Sequence, residues 1–149
     1  MSEDKLCYKV ATKMMADTEF ENALGIELVN VDDGYAKMRM EVTKMMLNGH
    51  GTCQGGAIFS FADAAFAISC NSRNIATVAS ACDISYVKPA FLGDVLTATA
   101  TEKYIKGKNG IYDILVINQN YESIAFFTGK SRAVKGTILN EDELWMKHI

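Results

Sequence analysis

GGAIFSFADAAFAISCN runs from Gly55 to Asn71, and its reading decides the fold. Its apolar residues Ile58, Phe59, Phe61, Ala62, Ala65, Phe66 and Ile68 do not keep to one helical stripe. A helix that is apolar all round is buried on all sides. Glycines open the stretch, and Asn71-Ser72-Arg73-Asn74 supplies a stop. One residue breaks the pattern. Asp63 places a carboxylate in the middle of this apolar helix, and its neighbours three and four residues away are Phe59, Ser60, Phe66 and Ala67. None of them is a cation that would pair with it.

Around this helix the chain reads as strands. Lys5 to Asp17 spaces Leu6, Val10 and Met14 at helical steps and predicts a short amphipathic helix. Ile26 to Val31 and Tyr35 to Val42 are strands joined at Asp32-Asp33-Gly34, a strong hairpin signal. After the long helix come Ala76 to Lys88, Asp94 to Ile105, Ile111 to Asn120 and Ile124 to Val134, all β-rich. Gly107-Lys108-Asn109-Gly110 and Tyr121-Glu122-Ser123 are the turns between the later ones. The expected class is α+β: a curved antiparallel sheet against one long buried helix, with a short N-terminal helix. One sheet supplies too little cover for an all-round apolar helix, and a second subunit is the simplest source of the remainder.

The 149 residues fit one domain, 1–149, with residues 1–20 as the N-terminal helix and 138–149 as a C-terminal tail. Net charge is −3, which argues against general affinity for nucleic acid or anionic membrane. Cys7, Cys53, Cys70 and Cys82 form no C-x-x-C pair, and with only His50 and His148 beside them no zinc site is expected. Free thiols, a charged N-terminus without an apolar signal segment, and no apolar run of membrane-spanning length point to the cytoplasm.

Two groups could carry chemistry. Asp63 reads either as a general base or nucleophile in a partly dry site, or as a helix-surface Asp facing solvent or a partner's basic residue. Gln54-Gly55-Gly56 starts the helix, where the first N–H groups lack internal partners and carry the positive end of the dipole. Glycine lets another molecule approach them, which suits a polarised carbonyl oxygen. The plainer reading is a cap or tight packing. Gly55 and Asp63 stand eight residues apart, roughly 12 Å along one helix. They cannot serve one carbonyl within a chain, whereas two antiparallel helices across a two-fold axis bring them together.

Asn48 and His50 lie in the preceding loop. Asn48 can donate to the same carbonyl, and His50 is a base or, preferably, a residue that fixes the loop. Cys53 with His50 as a nucleophile pair is disfavoured, because nothing in the sequence orients the imidazole.

At these residues the chain resembles the hot-dog fold acyl-CoA thioesterases of the PaaI type, from phenylacetate catabolism. The resemblance rests on Asn48-Gly49-His50, Gly55-Gly56, Ala62-Asp63-Ala64-Ala65-Phe66-Ala67 and Cys70-Asn71-Ser72. Val78-Ala79-Ser80-Ala81-Cys82, Gly93-Asp94-Val95-Leu96-Thr97-Ala98-Thr99-Ala100 and Gly110-Ile111-Tyr112-Asp113-Ile114 extend it. It implies dimers, commonly paired into tetramers, with sites at the dimer interface. It implies that Asp63 activates water or attacks the thioester carbonyl, which the Gly55 N–H polarises with help from Asn48. Gly56 and His50 would border the substrate.

The chain departs from the family at Gln54, where a His is usual. A glutamine amide still donates a hydrogen bond but cannot become cationic. At the strand position where some relatives carry Ser or Thr, this chain has Ala79, and Ser80 is expected on the opposite face.

For a CoA substrate, Lys103, Lys106 and Lys108 near one turn and Lys130, Arg132 and Lys135 at the last strand's end are candidates for the phosphates. An ordinary solvated rim is the bland alternative. Phe59, Phe66 and Met46 either line the acyl end or are plain core. No metal or redox cofactor is implied, since coenzyme A is part of the substrate. A hydratase on the same fold is disfavoured because its helix usually pairs Asp with His, and this helix has none. A non-catalytic acyl-CoA-binding or sensing protein is the alternative from another class.

Overall fold

The Asp33-Gly34 turn, with Gly34 at φ 67°, closes the first hairpin of the computed structural model, which describes residues 2–145. That hairpin pairs β1 (Glu27–Asp32) with β2 (Tyr35–Glu41). The remaining strands are β3 (Thr77–Tyr86), β4 (Val95–Lys106), β5 (Asn109–Ile117) and β6 (Ser123–Ala133). They form one antiparallel sheet in the order β1-β2-β4-β5-β6-β3. β3 therefore returns across the molecule to become an edge strand beside β6.

Helix α3 (Gly55–Cys70) lies against one face of this sheet. The sequence of β4 shows why it fits. Thr97, Thr99 and Thr101 alternate with Ala98 and Ala100, and both alanines are fully buried on the helix side. Ala36 faces Ala100 from β2 and Ala125 faces Val116 across β5 and β6, so small side chains floor the groove. The floor admits Phe61 and Phe66, which are among the largest fully buried side chains. Phe66 packs on Tyr112 and Phe127 at ring distances of 5.5 and 6.1 Å. Gly129 makes room for it, since a Cβ there would stand 2.7 Å from the ring.

The sheet does not cover the whole helix. Gly56, Phe59, Ser60, Asp63, Ala67 and Cys70 recur at three- and four-residue steps and stay partly open in the single chain. This is the stripe for which the apolar pattern demands further cover.

The N-terminal segment differs from a single helix over 1–20. Helix α1 (Leu6–Ala16) stops at Asp17, and a second short helix, α2 (Glu19–Ala23), follows Thr18. α2 packs against α3 and brings Glu21 towards it. Lys44–Met46 forms a 3-10 turn, and α4 (Glu141–Leu144) lies within the C-terminal tail, capped by Asn140 and Glu143 in a reciprocal capping box. His148 and the rest of that tail beyond residue 145 lie outside the described residues.

Candidate active site

Two openings flank the uncovered stripe of α3, one at each end of β3. At the helix N-terminus, a cavity is lined by Cys53, Gly55, Ile58, Tyr86 and Lys88. The N–H groups of Gly55 and Gly56 find no acceptor among the described residues. They are free to meet an external oxygen, as the dipole at a helix start favours. Tyr86 braces this end. Its hydroxyl donates to the Gly55 carbonyl at 2.7 Å, and its ring would stand 2.9 Å from a Cβ at position 55. Gly55 is needed here for close approach rather than for backbone freedom. Gln54 is the N-cap residue, but its amide reaches back to the Leu47 carbonyl at 3.4 Å and does not cap the helix.

The loop before the helix is organised by Asn48. Its Oδ1 accepts from the N–H groups of His50 and Thr52, at 2.9 and 3.2 Å, and its amide donates to the Thr52 hydroxyl at 3.0 Å. The loop is therefore held by Asn48, while the His50 imidazole is exposed and makes no hydrogen bond among the described residues. Cys53 is buried without an imidazole partner, and burial pushes its thiol up to about 11. A thiol held neutral in this way is not an activated nucleophile.

At the other end of β3, Asp63 lines a second cavity with Met14, Ala67, Cys70, Val78 and Ala79. The carboxylate is only partly exposed and makes neither a hydrogen bond nor an ion pair among the described residues. Burial pushes its pKa above the ordinary Asp value, and the Glu21 carboxylate pushes the same way. Such a group gains little from its surroundings as an anion, so it stays available to take a proton or attack.

Ala79 is exposed, paired with the buried Ser131, and lines the Asp63 cavity. Ser80 forms a bulge where the β3–β6 register shifts, and its hydroxyl donates to the Lys130 carbonyl at 3.0 Å. It takes no part in the Asp63 cavity.

Among the other residues singled out from the sequence, Met46 is a core side chain, 3% exposed, and Phe66, 1% exposed, belongs to the core and also borders the Asp63 cavity. Phe59 is half-buried, edge-on to Phe127 at 5.2 Å. Lys106, Lys108 and Arg132 gather around the β4–β5 turn and the end of β6, and Arg132 donates to Asn109 at 3.3 Å. Lys103 instead lies 4.0 Å from Asp113.

Sequence reasoning missed Glu21 and Tyr86. Neither carries a local signal, because each reaches the site from an element packed on α3 rather than from α3 itself.

The sequence model of the thioesterase superfamily matches residues 50–125, which takes in α3 with its Asp63 and the preceding loop from His50. Over 119 residues the chain is 50% identical to the Escherichia coli acyl-coenzyme A thioesterase PaaI, covering 80% of this chain and 85% of that one. Its structure superposes on that of the E. coli PaaI protein from the phenylacetic acid degradation operon with a TM-score of 0.86 and 45% identity, over 89% of this chain and 99% of that one. A Streptococcus mutans UA159 protein whose structure is bound to acetyl CoA matches with a TM-score of 0.72 and 25% identity, over 75% of this chain and 90% of that one. No helix among the described residues is long and apolar enough to cross a membrane.

Proposed function

The chain belongs to the thioesterase superfamily, with a hot-dog fold of the PaaI type, and from that premise we propose that it hydrolyses acyl-CoA thioesters with Asp63 as base or nucleophile. The observation that carries this reading is an unpaired carboxylate, its pKa raised by burial, on a helix whose own first N–H groups are uncommitted. An aryl-acetyl or related acyl group is the proposed substrate class, following the relative's place in a phenylacetic acid degradation operon.

The uncommitted N–H of Gly55 takes the thioester oxygen and stabilises the negative charge that develops on it. Asn48 adds its second amide hydrogen, since only one is engaged by Thr52. Asp63 either takes a proton from water as the water attacks and the thiolate of CoA leaves, or attacks directly and expels the thiolate, forming an acyl-Asp63 anhydride that water then hydrolyses to the free acid. His50 and Gly56, both exposed, are the proposed borders of the entrance, and Lys106 and Arg132 are the proposed contacts of the CoA phosphates. The reaction asks for no metal or redox cofactor.

The two half-sites belong to different chains in this reading. They stand roughly 12 Å apart along α3, and β3 leaves one edge unpaired among the described residues. Val78 and Ala79 border the Asp63 cavity, while Tyr86 and Val87 border the Gly55 cavity. If β3 pairs antiparallel with its own copy about the Cys82–Asp83 step, Ala79 lies opposite the partner's Tyr86, and each Asp63 meets a helix start from the other chain. The half-open stripe of α3 supports that cover. Pairing of two dimers into a tetramer is supported by the outer sheet face, where Leu115 and Phe126 are 37% and 52% exposed. Free thiols suit a reducing cytoplasm.

Offering the purified protein a panel of acyl-CoA thioesters while recording free thiol tests the reading. We expect release from at least one of them, and a loss of about 10²–10⁴-fold in Asp63→Asn with the fold intact. Tight binding of a thioester without release overturns it in favour of a binding protein, and near-wild-type turnover in Asp63→Asn overturns the role of Asp63.

A further inference from the structure

A separate cavity of about 240 Å³ opens beyond the C-terminal end of α3, between the β4–β5 turn and the ends of β3 and β6. Its walls are apolar at Ile75, Ile105 and Ala133. Most of its polar groups are already satisfied. The Arg73 guanidinium holds both oxygens of Glu102, at 2.8 and 2.9 Å, and the Tyr112 hydroxyl donates to the same carboxylate at 2.9 Å. Thr77 donates to the Ile75 carbonyl at 2.8 Å.

Two groups on the wall remain uncommitted. Ser131 is 3% exposed, and its hydroxyl has no partner among the described residues. The Lys108 ammonium has no carboxylate within ion-pair distance among them either. Gly110, facing Ser131 across β5 and β6, leaves that hydroxyl uncovered: a Cβ there would stand 2.6 Å from Ser131 Oγ and 2.9 Å from Ile105 Cδ1.

Arg73 and Glu102 cancel in charge, so the wall carries one net positive charge at Lys108. The free partners are a cation and a hydroxyl, which together ask for an anionic acceptor. The apolar walls ask for a hydrocarbon body, and the volume admits a single ring or a short branched chain but no nucleotide. We propose that this cavity binds a small carboxylate, its oxygens on Lys108 and Ser131 and its hydrocarbon body against Ile75, Ile105 and Ala133.

The site stands on these residues and does not rest on the hydrolytic reading. Its carboxylate has two sources. One is a free acid, the class of product a thioester hydrolase releases. The other is the far end of an acyl group entering past Cys70 and Thr77, which line both this cavity and that of Asp63. Asp63 and Cys70 stand seven positions apart, about 10 Å along the helix.

Titration with benzoate, and with benzamide as its neutral counterpart, tests the proposal by methyl resonance shifts and calorimetry. We expect saturable benzoate binding with shifts at Ile75, Ile105 and Ala133. Ser131→Ala and Lys108→Ala are each expected to weaken it by about tenfold, the effect of one charge-assisted hydrogen bond. Benzamide should bind correspondingly weakly, and Asp63→Asn should bind benzoate like wild type. Lys108 is exposed, so its variant keeps the measurement valid if Ser131→Ala fails to fold. No saturable binding, equal affinity for benzamide, or unchanged affinity in Lys108→Ala overturns the site.

Turnover of glutaryl-CoA and valeryl-CoA then separates the sources. A preference for glutaryl-CoA that falls in Ser131→Ala assigns the site to the acyl end. Benzoate inhibition that valeryl-CoA does not relieve assigns it to the free acid. A protein without turnover still returns the benzoate result, so the two readings fail independently.

Discussion

Asp63 is costly to the fold as an anion and, in the proposed reaction, is useful to the site. Its folded-state pKa is raised above the ordinary Asp value by burial and by Glu21, so the folded chain holds the proton more tightly than the unfolded one. The stability linked to that proton is complete below the unfolded pKa and is lost as pH rises through the folded one. Asp63→Asn removes the loss, so the variant should be more stable than wild type at neutral pH, on the order of 1 kcal/mol. The difference should vanish in acid, as thermal melts at two pH values will show. The proposed reaction needs the ionised carboxylate, so the acid limb of kcat/KM is expected above the ordinary Asp range. Glu21→Gln should move that limb down, and an unmoved limb would remove Glu21 from the site. Gln54 adds no such limb, because its amide does not titrate in this range. At this scale the sequence showed the carboxylate and its lack of cations along the helix. It could not show Glu21, which arrives from α2, or the contact of Tyr86 with Gly55 from thirty-one residues away.

At the scale of elements, β3 is the informative piece. It is ten residues long, pairs only with β6 among the described residues, and carries a bulge at Ser80. An edge strand of this length is a template for another chain unless something covers or charges it. Ala81 is exposed on it, so Ala81→Glu should leave the monomer folded while weakening self-association. Sedimentation velocity should then show a shift to monomer, with specific activity falling on dilution. A variant that dissociates yet keeps full activity would contradict a shared site. The helices and strands themselves were legible because each rests on a local period: Ala98 and Ala100 alternate with threonines, and α3 shows no single stripe. The bulge was not, since a register shift is set by the partner strand and leaves the alternation of β3 to mislead. The end of α1 at Asp17 was legible, but the short α2 was missed, because it has no apolar stripe of its own.

At the scale of the whole molecule, the reading makes activity a property of two chains. Asp63→Asn and Gly55→Val should each be inactive alone. Mixed in equal amounts with subunit exchange, half of the dimers are mixed and hold one intact site of two, so about a quarter of wild-type activity should return. No recovery despite proven exchange would place Gly55 and Asp63 in separate roles. The sequence by itself determined the class of fold and pointed to Asp63 and the helix start as candidates, because hairpin turns, strand alternation and a helix start are written in neighbouring residues. Only the tertiary structure decided the strand order that makes β3 an edge, the stripe of α3 that stays uncovered, and which polar groups are left without partners. Those depend on contacts between residues far apart in the chain: Glu102 uses up Arg73 and Tyr112, while Ser131 and Asp63 remain unclaimed among the described residues, and no local pattern records which donors and acceptors a fold will leave unsatisfied.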